Sequence, residues 1–259
     1  MKFVAAFRFL TVIPFPLKRE LSGDEVGASI AYFPLVGLVL GLVLAAMYWL
    51  LSQVAPVTLT SGLVILALVL ANGALHLDGF IDTCDGLAGN KSTEDRWRVM
   101  RDSRVGAFGV VGGVLLLLLK YVSLSSMPRS LAPAALVIMP TLSRWLITFA
   151  IVAYPYARPE GLGTVFKKHA TWEKFGLASL FALVIGGFVL WWRGVPHFYL
   201  ATLLVLSTVW LSGFAWAQYL DKKFAGLTGD SYGAINEFVE VAVLVIMGIL
   251  AFNRWLWVA

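Results

Sequence analysis

The chain has 259 residues, of which 59% are apolar and only 14% charged. Soluble globular domains carry about 45–50% apolar and about 25% charged residues, so a mean hydropathy of +0.83 excludes a water-soluble enzyme. The formal net charge of +5 is what basic cytoplasmic loops give a membrane protein, and it calls for no nucleic-acid partner.

In chain order, the first ten residues are apolar but interrupted by Arg8 and followed by Pro14 and Pro16. They lack the small-residue pattern of a cleaved signal peptide, so they read as an interfacial helix. A spanning helix needs about 20 apolar residues. Seven such stretches follow, at about 27–52, 57–77, 105–126, 130–153, 175–193, 197–219 and 235–257. The expected fold is all-α, a polytopic membrane bundle of about seven transmembrane helices plus the interfacial helix, in one domain over 1–259. Cys84 is the single cysteine, so no intramolecular disulfide can form.

Basic residues set the orientation. Fifteen lie in segments on the N-terminal side, among them Lys2, Arg8, Lys18, Arg19, Lys167 and Lys168, against Arg129, Arg193 and Arg254 on the other. The positive-inside rule then puts the N-terminus in the cytoplasm and the C-terminus outside. Every carboxylate, Glu160 included, sits on or near the cytoplasmic side. Topology does not require that asymmetry; an active site on the cytoplasmic face would explain it.

The run from His76 to Asn90 holds Asp78, Asp82 and Asp85 at spacing i, i+4, i+7, which places all three on one helix face at the cytoplasmic end of the second span. Carboxylates so crowded repel unless a cation or protons intervene. Hard oxygen ligands suit Mg²⁺, with phosphate oxygens and water completing the shell. Ordinary surface acids at a solvated helix end are the simpler alternative, but acids this near the bilayer are costly without a purpose. Cys84 faces away from this arc as a packed small residue. His76 either holds a phosphate or second-shell carboxylate, or bonds to backbone.

From Glu94 to Gly109 the chain is rich in arginine. Membrane anchoring accounts for part of this. Arg101 and Arg104 are candidate phosphate ligands through bidentate contacts, with Ser103 and Gly106 beside them near a helix start. Lys91 and Arg98 join them as substrate-binding candidates, and Arg96 is left undecided. Arg144 lies well inside the fourth span, where it partners either a substrate anion or a carboxylate on another helix. Lys120 is close enough to its helix end to snorkel and is given no role. In the loop before the last span, Thr228 or Asp230 caps the helix, while Asp230 and Glu237 extend the acidic face. Asp230 and Glu237 are candidate further metal ligands or general bases.

Asp82-Thr83-Cys84-Asp85-Gly86 resembles the Asp-x-x-Asp-Gly pattern of the CDP-alcohol phosphotransferases, but Gly89-Asn90 stands where that family has Ala-Arg. The run from His76 to Gly86, with Met100-Arg101-Asp102-Ser103-Arg104-Val105-Gly106-Ala107-Phe108-Gly109, resembles the cobalamin 5′-phosphate synthases, the membrane-bound adenosylcobinamide-GDP ribazoletransferases. Phe9-Leu10-Thr11, Phe33-Pro34-Leu35-Val36-Gly37, Ser143-Arg144 and Thr228-Gly229-Asp230 extend the resemblance over nearly the whole chain. It implies a Mg²⁺-dependent transferase in the cell inner membrane that joins adenosylcobinamide-GDP to α-ribazole or its 5′-phosphate and releases GMP. Asp78, Asp82 and Asp85 would hold the metal, Asp82 would be catalytic, and Asp102, Asp230 or Glu237 would accept the hydroxyl proton. Partners would be these substrates and the lipid bilayer, with a homo-oligomer or other cobalamin-assembly enzymes left open. The competing readings are a phosphatidyltransferase of lipid synthesis, and a corrinoid or anion transporter, for which Arg144 is the best support.

Overall fold

The computed structural model describes residues 1–15, 20–158 and 161–256. Lys18, Arg19 and Glu160, and the end of the seventh stretch at Trp257, lie outside the described residues. The chain forms α1 (Lys2–Leu10), α2 (Gly23–Gly27), α3 (Phe33–Leu51), α4 (Val57–Ala71), α5 (Leu75–Leu87) and α6 (Thr93–Val99). It continues with α7 (Ala107–Ser125), α8 (Ala132–Ala153), α9 (Leu162–Lys168), α10 (Trp172–Trp192), α11 (Phe198–Phe224) and α12 (Gly229–Phe252). Among the described residues the one β-type pairing is a bridge between Tyr156 and Leu227.

Helix α8 is the axis of the bundle, with almost every residue from Ala132 to Val152 buried. It can be central because α3 approaches it at backbone distance. A Cβ at Gly37 would collide with the Pro140 carbonyl, and one at Gly41 would sit 2.6 Å from the Val137 Cα. Two small residues four apart on one helix face bring helices together in membranes, where packing replaces the hydrophobic driving force. Helices α7 and α10 turn apolar side chains such as Val110, Leu118, Leu180 and Phe188 outward, as a lipid-facing surface does. Helix α1 packs Ala5, Ala6 and Leu10 into the protein, so it is a docked element whose Phe9 ring stacks on Phe33 at 6.2 Å.

Among the described residues six helical runs are each long and apolar enough to cross a membrane, and a bent pair makes a seventh when counted as one broken span. The stretch at 57–77 is the correction: it breaks into α4 and α5, bent by 89°. Gly73 and Ala74 both take φ +58, and the Ala74 N–H reaches back to the Val69 carbonyl at 2.9 Å, the hydrogen-bond closure that ends a helix. The aspartates therefore do not extend the second span. They occupy a helix of their own, nearly perpendicular to it.

Candidate active site

Three devices fix α5. Its Gly79 and the Gly233 of α12 let the two backbones touch: a Cβ at Gly79 would lie 2.8 Å from the Asp230 carbonyl, and one at Gly233 2.9 Å from that of His76. Asp85 accepts the backbone N–H groups of Gly106 at 2.7 Å and Gly109 at 2.8 Å, satisfying orphan donors at the start of α7. At the C-terminal end of α5, Lys91 Nζ donates to the Asp85 carbonyl at 3.0 Å and Arg96 Nη1 to that of Gly86 at 2.7 Å. Cations complement a helix C-terminus in this way.

This framework sets Asp78 of α5 and Asp230 of α12 on the wall of one cavity of about 170 Å³. Asp82 lies within electrostatic reach of Asp78, Asp230 and Asp85, and of Arg158. Thr228, not Asp230, caps α12, its hydroxyl accepting the Ser231 N–H at 3.2 Å. Asp230 is left for other work. Its Oδ2 accepts Arg158 Nη2 at 2.8 Å and the Thr228 hydroxyl at 3.4 Å, while among the described residues Oδ1 accepts none. The pairing of Arg158 with Asp230 spans 72 residues, which leaves no local pattern to read.

A second cleft, of about 680 Å³, lies beyond α5 and is lined by Asp85, Lys91, Asp102, Arg104, Gly106 and Phe108, among others. Arg104 grips Asp102 with Nε at 3.0 Å and Nη2 at 2.8 Å on separate oxygens. These hydrogen bonds hold the Asp102 carboxyl down to about 2. A carboxylate so stabilised in its charged form is a weak proton acceptor.

A third cluster is entirely buried. Lys120 Nζ donates to Glu237 and to Glu240, each at 2.6 Å, and Arg144 pairs with the other oxygen of Glu240. Asn236 Nδ2 donates to Glu240 at 3.1 Å, and His76 Nδ1 is 3.5 Å from Arg144 Nη2. Two cations balance two anions, as burial in a bundle requires, and the cluster ties α7, α8 and α12 together next to α5.

The remaining candidate residues take their places accordingly. Glu237 meets Lys120 inside the bundle and lines neither cavity. Arg144 holds Glu240 instead of a substrate anion, which removes the transporter's best support. Lys120 does not snorkel: its side chain is 1% exposed. Arg98 is exposed and pairs with Asp95 at 2.5 Å. Arg101 and Ser103 are exposed and line neither cavity. Arg96 is a helix-end cap. His76 is buried beside Arg144. Cys84 packs against Gly112. Asp85 spends both oxygens on backbone N–H groups.

Among the described residues no three of His, Cys, Asp and Glu converge as a ready-made metal cage. The donor set nevertheless suits Mg²⁺, which typically takes one or two carboxylates with waters and substrate phosphates. Asp78, Asp82 and Asp230 supply such oxygens, and Arg158 is the one cation among the main charges acting on Asp82 and Asp230.

A family model described as cobalamin-5-phosphate synthase matches residues 2–248. Among relatives named adenosylcobinamide-GDP ribazoletransferase, that of Geotalea daltonii is 37% identical over 243 residues, covering 94% of this chain and 95% of its own. The Desulfitobacterium hafniense relative is 35% identical with 93% of each chain covered. That of Caldanaerobacter subterraneus is 33% identical with 95% and 97% covered. No solved structure matches the chain.

Proposed function

Because this chain belongs to the cobalamin-5-phosphate synthase family, we propose that it transfers the phosphocobinamide group of adenosylcobinamide-GDP to α-ribazole, or to α-ribazole 5′-phosphate, and releases GMP. The observation that carries the reading is the meeting of Asp78 and Asp230, from helices far apart in sequence, on one cavity wall with Asp82 beside them. The acceptor hydroxyl oxygen forms a bond to the cobinamide-bearing phosphorus, the bond to the GMP oxygen breaks, and the hydroxyl proton passes to a carboxylate.

Asp230 suits the proton best. Its Oδ1 is open and Arg158 fixes its Oδ2, whereas Asp102 is held by Arg104 and Glu237 by Lys120. Lys91 and Arg104, on the larger cleft, attract the diphosphate and the leaving GMP. Mg²⁺, held by Asp78 and Asp82, would neutralise charge on the diphosphate. Water exclusion and positioning are the protein's main contributions to such a transfer. The site faces the cytoplasm of the inner membrane, and the C-terminus lies outside, in keeping with the basic loops.

The test is GMP release from adenosylcobinamide-GDP by purified protein in liposomes, with and without each acceptor and with and without Mg²⁺. Acceptor-dependent release supports the reading. Its absence with both acceptors, or CMP release from a CDP-alcohol instead, overturns it.

A further inference from the structure

The two cavities flanking α5 differ in size and in lining, and the difference assigns them. The smaller, of about 170 Å³, is walled by Phe9 of α1, Phe33 of α3, and Phe166 of α9, with Asp78, Asp230 and Tyr232 on its polar side. The three phenylalanine rings contact one another, with centroids 4.8 Å apart for Phe9 and Phe166 and 5.8 Å for Phe33 and Phe166. Tyr232 is 6% exposed, and among the described residues its hydroxyl has no hydrogen-bond partner. A buried hydroxyl left so needs a partner from elsewhere.

We infer that this cavity is the acceptor subsite, receiving the flat aromatic base of a ribonucleoside against the wall formed by Phe9, Phe33 and Phe166 while its sugar hydroxyl reaches Asp230. The assignment rests on the transfer reaction proposed above and adds to it a place for one substrate. Size decides first. An apolar cavity of about 150 Å³ accommodates benzene, so 170 Å³ takes one small ring system and no corrin macrocycle. Chemistry agrees. Aromatic walls favour a stacked or edge-on ring, and among the described residues no lysine lines this cavity, so it offers a diphosphate little. The larger cleft, whose lining includes Lys91 and Arg104 beside Asp85 and Asp102, has the size for the nucleotide end of the donor. Asp78 and Asp230 stand where acceptor and donor must meet. Phe9, Phe33 and Phe166 are therefore specificity-determining residues contributed by three separate helices.

The experiment uses the full chain in liposomes and reads acceptor binding apart from turnover. α-Ribazole alone is added, and the change in melting temperature is followed for the wild type, Phe166→Ala, Phe166→Leu and Phe9→Ala. KM is then measured separately for α-ribazole and for adenosylcobinamide-GDP. We expect α-ribazole to raise the wild-type melting temperature and the Phe166 variants to weaken that effect. Their acceptor KM should rise about tenfold or more with the donor KM within about twofold. Phe166→Leu keeps an apolar wall, so it separates loss of ring contact from loss of fold. Stabilisation by α-ribazole without turnover would sink the transfer reaction and leave the subsite standing. Three results overturn the subsite: no stabilisation of the wild type by α-ribazole, equal rises in both KM values, or stabilisation by a lysolipid in place of α-ribazole, which would give the cavity to an acyl chain.

Discussion

Asp85 accepts the backbone N–H of Gly109 at 2.8 Å, so one acid of the aspartate motif serves as the cap of a spanning helix. The same carboxylate takes Gly106 at 2.7 Å, leaving α5 and α7 joined at their contact. Asp78, one turn and three residues earlier in α5, faces the cavity instead. Asp85 and Asp78 thus divide between a helix cap and a cavity wall.

Asp85→Asn should destabilise the fold more than its small change in shape suggests. One of the two backbone N–H groups would meet an amide donor, and a buried donor left unsatisfied costs about 1–3 kcal/mol. Thermal unfolding in detergent should show a clear drop in melting temperature. An unchanged melting temperature with lost turnover would instead make Asp85 a ligand of the reacting groups.

Lys120→Met leaves Glu237 and Glu240 with Arg144 alone. Breaking a buried ion pair from one side costs about 3–5 kcal/mol, so the variant should unfold far more readily than wild type. Adding Glu237→Gln restores charge balance, and the double variant should recover most of the loss. A double variant no better than Lys120→Met would show that the cluster is not coupled as its geometry implies.

Arg158→Ala should lower kcat about tenfold, the loss expected when a charge-assisted hydrogen bond is removed, with little change in melting temperature. Asp230→Asn should lower it further. If both variants turn over at the wild-type rate, the proton goes elsewhere.

Asp102→Asn should retain turnover within about fivefold, because an exposed, solvent-screened ion pair contributes little. The pH dependence follows the same logic. Arg104 lowers the Asp102 carboxyl from 3.8 to about 2, so its folded-state contribution is complete above its ordinary value. It is lost only as pH falls through about 2. An acidic limb of the kcat/KM profile nearer neutrality must survive Asp102→Asn; its disappearance in that variant would restore Asp102 as the base.

The membrane bundle and the helix carrying Asp78, Asp82 and Asp85 were legible in the sequence, because both rest on periodicity within a single element. The i, i+4, i+7 spacing holds in α5, and even its break from α4 has a local sign in Asn72-Gly73, a turn-forming pair. What spacing could not supply was the partner of each charge. Lys120 lies 117 residues from Glu237, and Arg158 lies 72 residues from Asp230.

The low proportion of charge determined by itself that this protein lies in a membrane and that its few ionisable groups matter. The tertiary structure alone decided which of them neutralise one another inside the bundle, as Lys120, Arg144, Glu237 and Glu240 do, and which are left facing a cavity, as Asp78 and Asp230 are. The reason is electrostatic. In a low-dielectric interior every charge must find a partner or a ligand, and only the packing of distant helices determines which one it finds.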